Sequence, residues 1–111
     1  MHLPAFYSHA PRLLVRDPLA ELLGAADDGL IEYGYPDAVR LAGHSCPTVA
    51  GAYLMARTGL RALYPDAVPE RGGVVVTMGA AEVEGTTGVI AQVFTLITGA
   101  AANNGFHGIA G

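Results

Sequence analysis

The stretch PDAVRLAGHSCPTVAGAYLMARTGLRAL, residues 36–63, decides how the chain is read. Pro36 suits the first turn of a helix and Gly43 suits its end, so PDAVRLAG reads as two helical turns. Pro47 can open a second helix directly afterwards. Within that helix Val49, Ala52, Tyr53, Ala56, Leu60 and Leu63 recur at helical spacing, while Arg57 and Arg61 share another face. A helix from about Thr48 to Leu63 is therefore the central expectation. The turn between the two helices, GHSCP at 43–47, holds the chain's only cysteine.

Outward toward the N-terminus, DPLAELLGAADDG predicts a short helix with Asp17 as N-cap, Pro18 in the first helical position and Leu19, Leu22 and Leu23 as its apolar face. LIEYGY, residues 30–35, alternates loosely and reads as a strand or an extended connector. The opening to about Arg16 mixes prolines with Phe6, Tyr7, Leu13 and Leu14, and is expected to be an arm that docks on something, such as a second copy of the chain.

Toward the C-terminus, YPDAVPERGG carries the dipeptides of a loop, and VVVTMGAAEVE, residues 74–84, is β-branched enough for one or two strands. Thr86 or Thr87 can cap a last helix running to about Thr98, apolar on nearly every side through Val89, Ile90, Val93, Phe94, Leu96 and Ile97. GAAANNGFHGIAG then has the glycine and asparagine content of turns and stops without a closing element, so it reads as a domain cut short, and whether the chain continues past Gly111 stays open.

Composition bounds the partners. At 111 residues the chain suits one domain, residues 1–111, with one core. It is 51% hydrophobic and 14% charged, against roughly 25% charged in ordinary soluble domains, which favours a homo-oligomer or a missing segment. GVIAQVFTLITGAAA is broken by Gln92, Thr95 and Thr98 and falls short of the ~20 apolar residues a membrane span needs. No basic start followed by an apolar run marks a secretory leader, so the cytoplasm is the default location. The six basic residues are scattered arginines, and net charge is −4, so nucleic acid is not an expected partner.

The chemistry centres on Cys46. A lone cysteine excludes an internal disulfide and leaves a buried thiol, a metal ligand or a reactive thiol. At a helix N-terminus its thiolate would be stabilised by unpaired N–H groups, and His44 could share a metal with it or take its proton. Packing is the commoner role for an isolated cysteine, because the residue type is among the most buried. Glu82 and Glu84 alternate on one side of any strand that runs that far, and His107 lies in a glycine-flanked turn. Each can equally be a solvated surface residue.

With these residues in view, AGHSCPTVAGAYLMARTGLRAL resembles a segment of the FmdE-like proteins, a family named after a component of formylmethanofuran dehydrogenase, in which a Gly-His-x-Cys-Pro turn joins a short helix to a long one. DAVRL before it and EVEGTTGVIAQVFTLITG after it are similar too, so the resemblance spans about residues 36–100. It implies an α+β core domain, often dimeric, with a small sheet packed by the long central helix and a second buried helix. It also implies zinc or another divalent transition metal near His44 and Cys46, which carry over as ligand or catalytic candidates. Glu84 and His107 are the further ligand candidates, and a small molecule is the implied ligand of an open coordination position. Two departures stand out: Thr48 follows Cys-Pro where glycine is usual, and Thr86 stands where the family has a second cysteine. A metal-free reactive thiol and a non-catalytic assembly module are the competing expectations, and whether the chain is an enzyme stays open.

Overall fold

The computed structural model describes residues 3–78 and 87–100. Among the described residues the fold is α+β: a two-stranded antiparallel ribbon with four α-helices and one short 3-10 helix. A short 3-10 helix, Ala5–His9, leads into β1, Leu13–Arg16. Then follow α1 (Pro18–Leu22), β2 (Leu30–Tyr33), α2 (Tyr35–Ala42), α3 (Pro47–Leu63) and α4 (Thr87–Thr98).

The local signals for α1, α2 and α3 act as expected. Asp17 accepts hydrogen bonds from the N–H groups of Leu19 and Ala20 ahead of Pro18. Asp37 reaches back to accept from the N–H of Gly34, the N-cap of α2. Gly43 ends α2 at φ +83°, in the left-handed region, and its N–H closes onto the carbonyl of Val39 at 2.7 Å. α3 buries Val49, Ala52, Tyr53, Ala56 and Leu60 on one stripe.

The N-terminal arm is a correction. Pairing Leu13↔Tyr33 through Arg16↔Leu30 makes its last residues a strand of the domain's own sheet, with Leu13 and Val15 buried in the core. Alternation puts Leu13, Val15, Ile31 and Tyr33 on the inner face, which a four-residue strand shows too briefly to read from sequence. The expected apolar face of α1 is covered only in part, at half-buried Leu19. The helix stops after five residues, and Leu22 and Leu23 are 72% and 67% exposed. Leu63 is likewise exposed at the end of α3. Residues 74–78 form no strand, and residues 79–84 of that expected strand lie outside the described residues.

Between α3 and α4 the chain passes along the free edge of β1. The N–H of Arg16 donates to the Pro69 carbonyl at 2.9 Å, and the N–H of Arg71 to the Arg16 carbonyl at 2.7 Å. The N–H of Gly72 then caps α4 by donating to the Thr98 carbonyl at 2.8 Å. α4 is thus tethered by its C-terminal end to the segment at Gly72, while its body packs along α3 and against α2. Val93 and Ile97 are its fully buried residues, whereas Gln92 and Thr95 are exposed, so one side of this helix meets solvent. Burial of Val15, Val39, Val49, Tyr53, Val93 and Ile97, at roughly 1.5–3 kcal/mol per large side chain, joins ribbon and helices into one core.

Gly99 is where a side chain has no room. Its φ is +73°, and a Cβ there would lie 2.8 Å from both the Arg71 Cγ and the Gly72 nitrogen. Gly99→Ala is expected to cost about 1–2 kcal/mol from the left-handed backbone alone. Thermal unfolding beside Gly24→Ala, a left-handed glycine facing open space, checks it: equal losses at both positions would remove the packing argument.

Candidate functional site

His44, Ser45 and Cys46 form the turn between α2 and α3. Gly43 reverses the chain, and Cys46 takes the N-cap position of α3 in extended backbone, φ −153° and ψ 170°. No acidic side chain occupies the first turn of α3, so the first N–H groups of the helix are left facing the cysteine. The Cys46 side chain does not complete a capping hydrogen bond. Its thiol is nevertheless held below the ordinary cysteine value, chiefly by the N–H of Val49. Desolvation opposes this, and the imidazole of His44 and the N–H of Thr48 reinforce it. The residue is half-buried and packs against the edge of the core.

His44 is exposed, with Nδ1 3.2 Å from the Ala42 carbonyl. A carbonyl can only accept, so Nδ1 is the donor in this hydrogen bond, and in the neutral ring it is Nε2 that carries the lone pair. That is the arrangement common to metal-binding histidines, in which the non-ligating nitrogen is anchored to a carbonyl or carboxylate.

What fixes this turn left no clear mark in the sequence. The hydroxyls of Tyr35 and Ser45 lie 2.6 Å apart, clasping the start of α2 to the middle of the GHSCP turn. Tyr35 is buried and makes edge contacts with the rings of Tyr7 and Tyr53, at 5.5 and 5.7 Å between centroids. An aromatic residue immediately before the helix-opening Pro36 was the available signal. Its partner ten residues away depended on where α2 ended.

His44 and Cys46 are therefore brought together, and both can supply a ligand or act as a base and nucleophile pair. Among the described residues no three of His, Cys, Asp and Glu converge as a metal cage. Glu82, Glu84, Thr86 and His107 lie outside the described residues. An open depression of about 430 Å³ lies elsewhere, lined by Leu63, Tyr64, Gly73, Val74 and Val75. It sits at the opposite end of α3, a 17-residue helix about 25 Å long, and so is not part of the thiol site. No described helix is long and apolar enough to cross a membrane. Comparison with family models, curated proteins and solved structures finds no match to this chain.

Proposed function

We propose that the chain is an FmdE-like core domain that binds one zinc-like divalent metal through Nε2 of His44 and the sulfur of Cys46. The carrying observation is the anchored imidazole: its Nδ1 is spent on the Ala42 carbonyl, two residues from a thiol at the N-cap of a helix. Glu84 and His107 are the further ligands in this reading. A Cys, His and carboxylate set with one open position suits zinc, which would polarise a small molecule or activate water there. Thr86 in place of a second thiolate shifts that set toward harder donors.

The expected result is about one metal per chain in protein purified without chelator, and loss of that metal in Cys46→Ser and His44→Ala. Metal-free wild-type protein whose properties Cys46→Ser leaves unchanged would remove the reading.

The lowered thiol value favours one competing reading, a metal-free nucleophilic or redox cysteine with His44 as its base. Alkylation rate against pH in metal-free protein separates the two. The thiol reading expects half-maximal reactivity below the free-cysteine value of about 8.5, abolished in Cys46→Ser and moved upward in His44→Ala.

A further inference from the structure

Two surface patches carry opposite charge and matching apolar residues, and neither has a partner among the described residues. The first is the outward face of α3, opposite the stripe that packs on the core. Gly51, Leu54, Met55, Thr58, Gly59 and Ala62 fall on it at helical spacing, and none is charged. Leu54 and Met55 are 47% and 52% exposed. A Cβ added at Gly51 or Gly59 would meet nothing within 4 Å, so none of the described residues covers the face along these two turns.

Arg57 and Arg61 border this face on one side. The other described arginines are each neutralised: Arg12 by Glu32, Arg16 by Glu21 and Glu70, Arg40 by Asp37 and Arg71 by Asp17. Arg57 and Arg61 meet no carboxylate among the described residues, and Arg57 spends its Nε on the Arg12 carbonyl instead. Two like charges one helical turn apart are mildly destabilising in the isolated chain, which an external anion would relieve.

The second patch is the end of α1. Leu22 and Leu23 project into solvent, and Asp27 and Asp28 follow them. Asp28 accepts only the N–H of Leu30, and Asp27 has no cation against it among the described residues. This patch therefore offers the two things the α3 face lacks, exposed leucines to cover Leu54 and Met55 and carboxylates to meet the arginines.

We propose that the occupant of the α3 face is a second copy of this chain, docked through its α1 end. Leu22 and Leu23 of one copy lie on Leu54 and Met55 of the other, and Asp27 and Asp28 face Arg61 and Arg57. The contact joins two different patches, so a two-fold arrangement makes it twice in an isologous dimer, while any other rotation makes it heterologous and propagates it into a ring or a chain. Apolar residues in the middle with opposite charges at the margin give the usual anatomy of such an interface.

Sedimentation velocity over a concentration series tests the proposal with two variants altered only at exposed positions. Leu54→Glu/Arg61→Glu reverses the α3 face, and Leu22→Lys/Asp27→Lys reverses the α1 end. Wild-type protein is expected to self-associate more strongly at low salt than at high salt. Each variant alone should weaken self-association by about tenfold or more, because like charges then meet at one side of every contact. Mixed in equal amounts the two variants should associate again, since one contact is native and the other has its charges exchanged. Circular dichroism shows whether each variant keeps the wild-type fold. A wild-type protein that stays monomeric overturns the proposal, as does an oligomer indifferent to either reversal or a mixture that stays apart.

Discussion

Arg71→Ala is expected to lower stability by roughly 2–3 kcal/mol, somewhat less than the ~3–5 kcal/mol of breaking a fully buried ion pair, because both side chains keep some exposure. The magnitude follows from how many groups the guanidinium serves. Its Nη1 donates to Oδ2 of Asp17 at 3.0 Å, its Nε to the Leu96 carbonyl at 3.1 Å and its Nη2 to the Thr95 carbonyl at 3.4 Å. Asp17 in turn caps α1, so one side chain ties the ribbon, the first helix and the end of α4 together. At about 4–8 °C per kcal/mol, the melting temperature should fall by roughly 10–20 °C. Arg71→Lys should recover little, because a single ammonium cannot reproduce a planar fork aimed at three acceptors. A loss under about 1 kcal/mol would put the pair in the class of exposed salt bridges and undo the argument.

The same cluster fixes a pH dependence. Burial pushes the Asp17 carboxyl up, but the N–H of Ala20, the Arg71 guanidinium and the N–H of Leu19 together hold it below the ordinary aspartate value. A depressed folded value contributes stability that is complete above the unfolded value, about 3.9, and is lost as pH falls through the folded one. The acid limb of a stability profile should therefore flatten in Asp17→Asn, and a limb of unchanged slope would show that Asp17 is not its source.

Legibility from sequence followed the range of the interactions. Asp17, Pro18, Pro36, Gly43 and Pro47 act on their own backbone or the next three residues, so they announced α1, α2 and α3. β1 depends on Tyr33 lying opposite Leu13, and on the carbonyls of Pro11 and Arg12 being taken by Tyr53 and Arg57, some forty residues away. None of those pairings leaves a local mark, and prolines at 4 and 11 made the segment read as an arm. Leu22 and Leu23 misled for the opposite reason: helical spacing names a face, but only tertiary packing says whether anything covers it. The site divides in the same way. His44 and Cys46 share a five-residue turn and were visible, whereas the Tyr35–Ser45 clasp required the length of α2.

Tyr53→Ala should be among the most damaging single substitutions, at roughly 3–5 kcal/mol for a large buried aromatic residue. Tyr53 is almost fully buried, stacks edge-on against Tyr35 and donates its hydroxyl to the Pro11 carbonyl at 2.5 Å. Removing it opens the core and cuts the tie between α3 and the entry to β1. Because that variant can fail to fold, Tyr53→Phe carries the finer test: it keeps the ring, orphans the Pro11 carbonyl and should cost about 1–2 kcal/mol. Burial raises the phenol above its ordinary value; Arg57 and Arg12 oppose this, and Asp37 and Glu32 add to it. A raised folded value means the neutral phenol stabilises the fold below the unfolded value, about 10, and that this contribution is lost as pH rises through the folded one. Wild-type protein should therefore lose stability more steeply above that pH than Tyr53→Phe does. Since the α3 N-terminus is set by Gly43, Pro47 and the Tyr35–Ser45 clasp, Tyr53→Phe should leave the alkylation rate of Cys46 unchanged. A slowed rate would mean that the thiol site draws on the core packing of α3 as well as on its own turn.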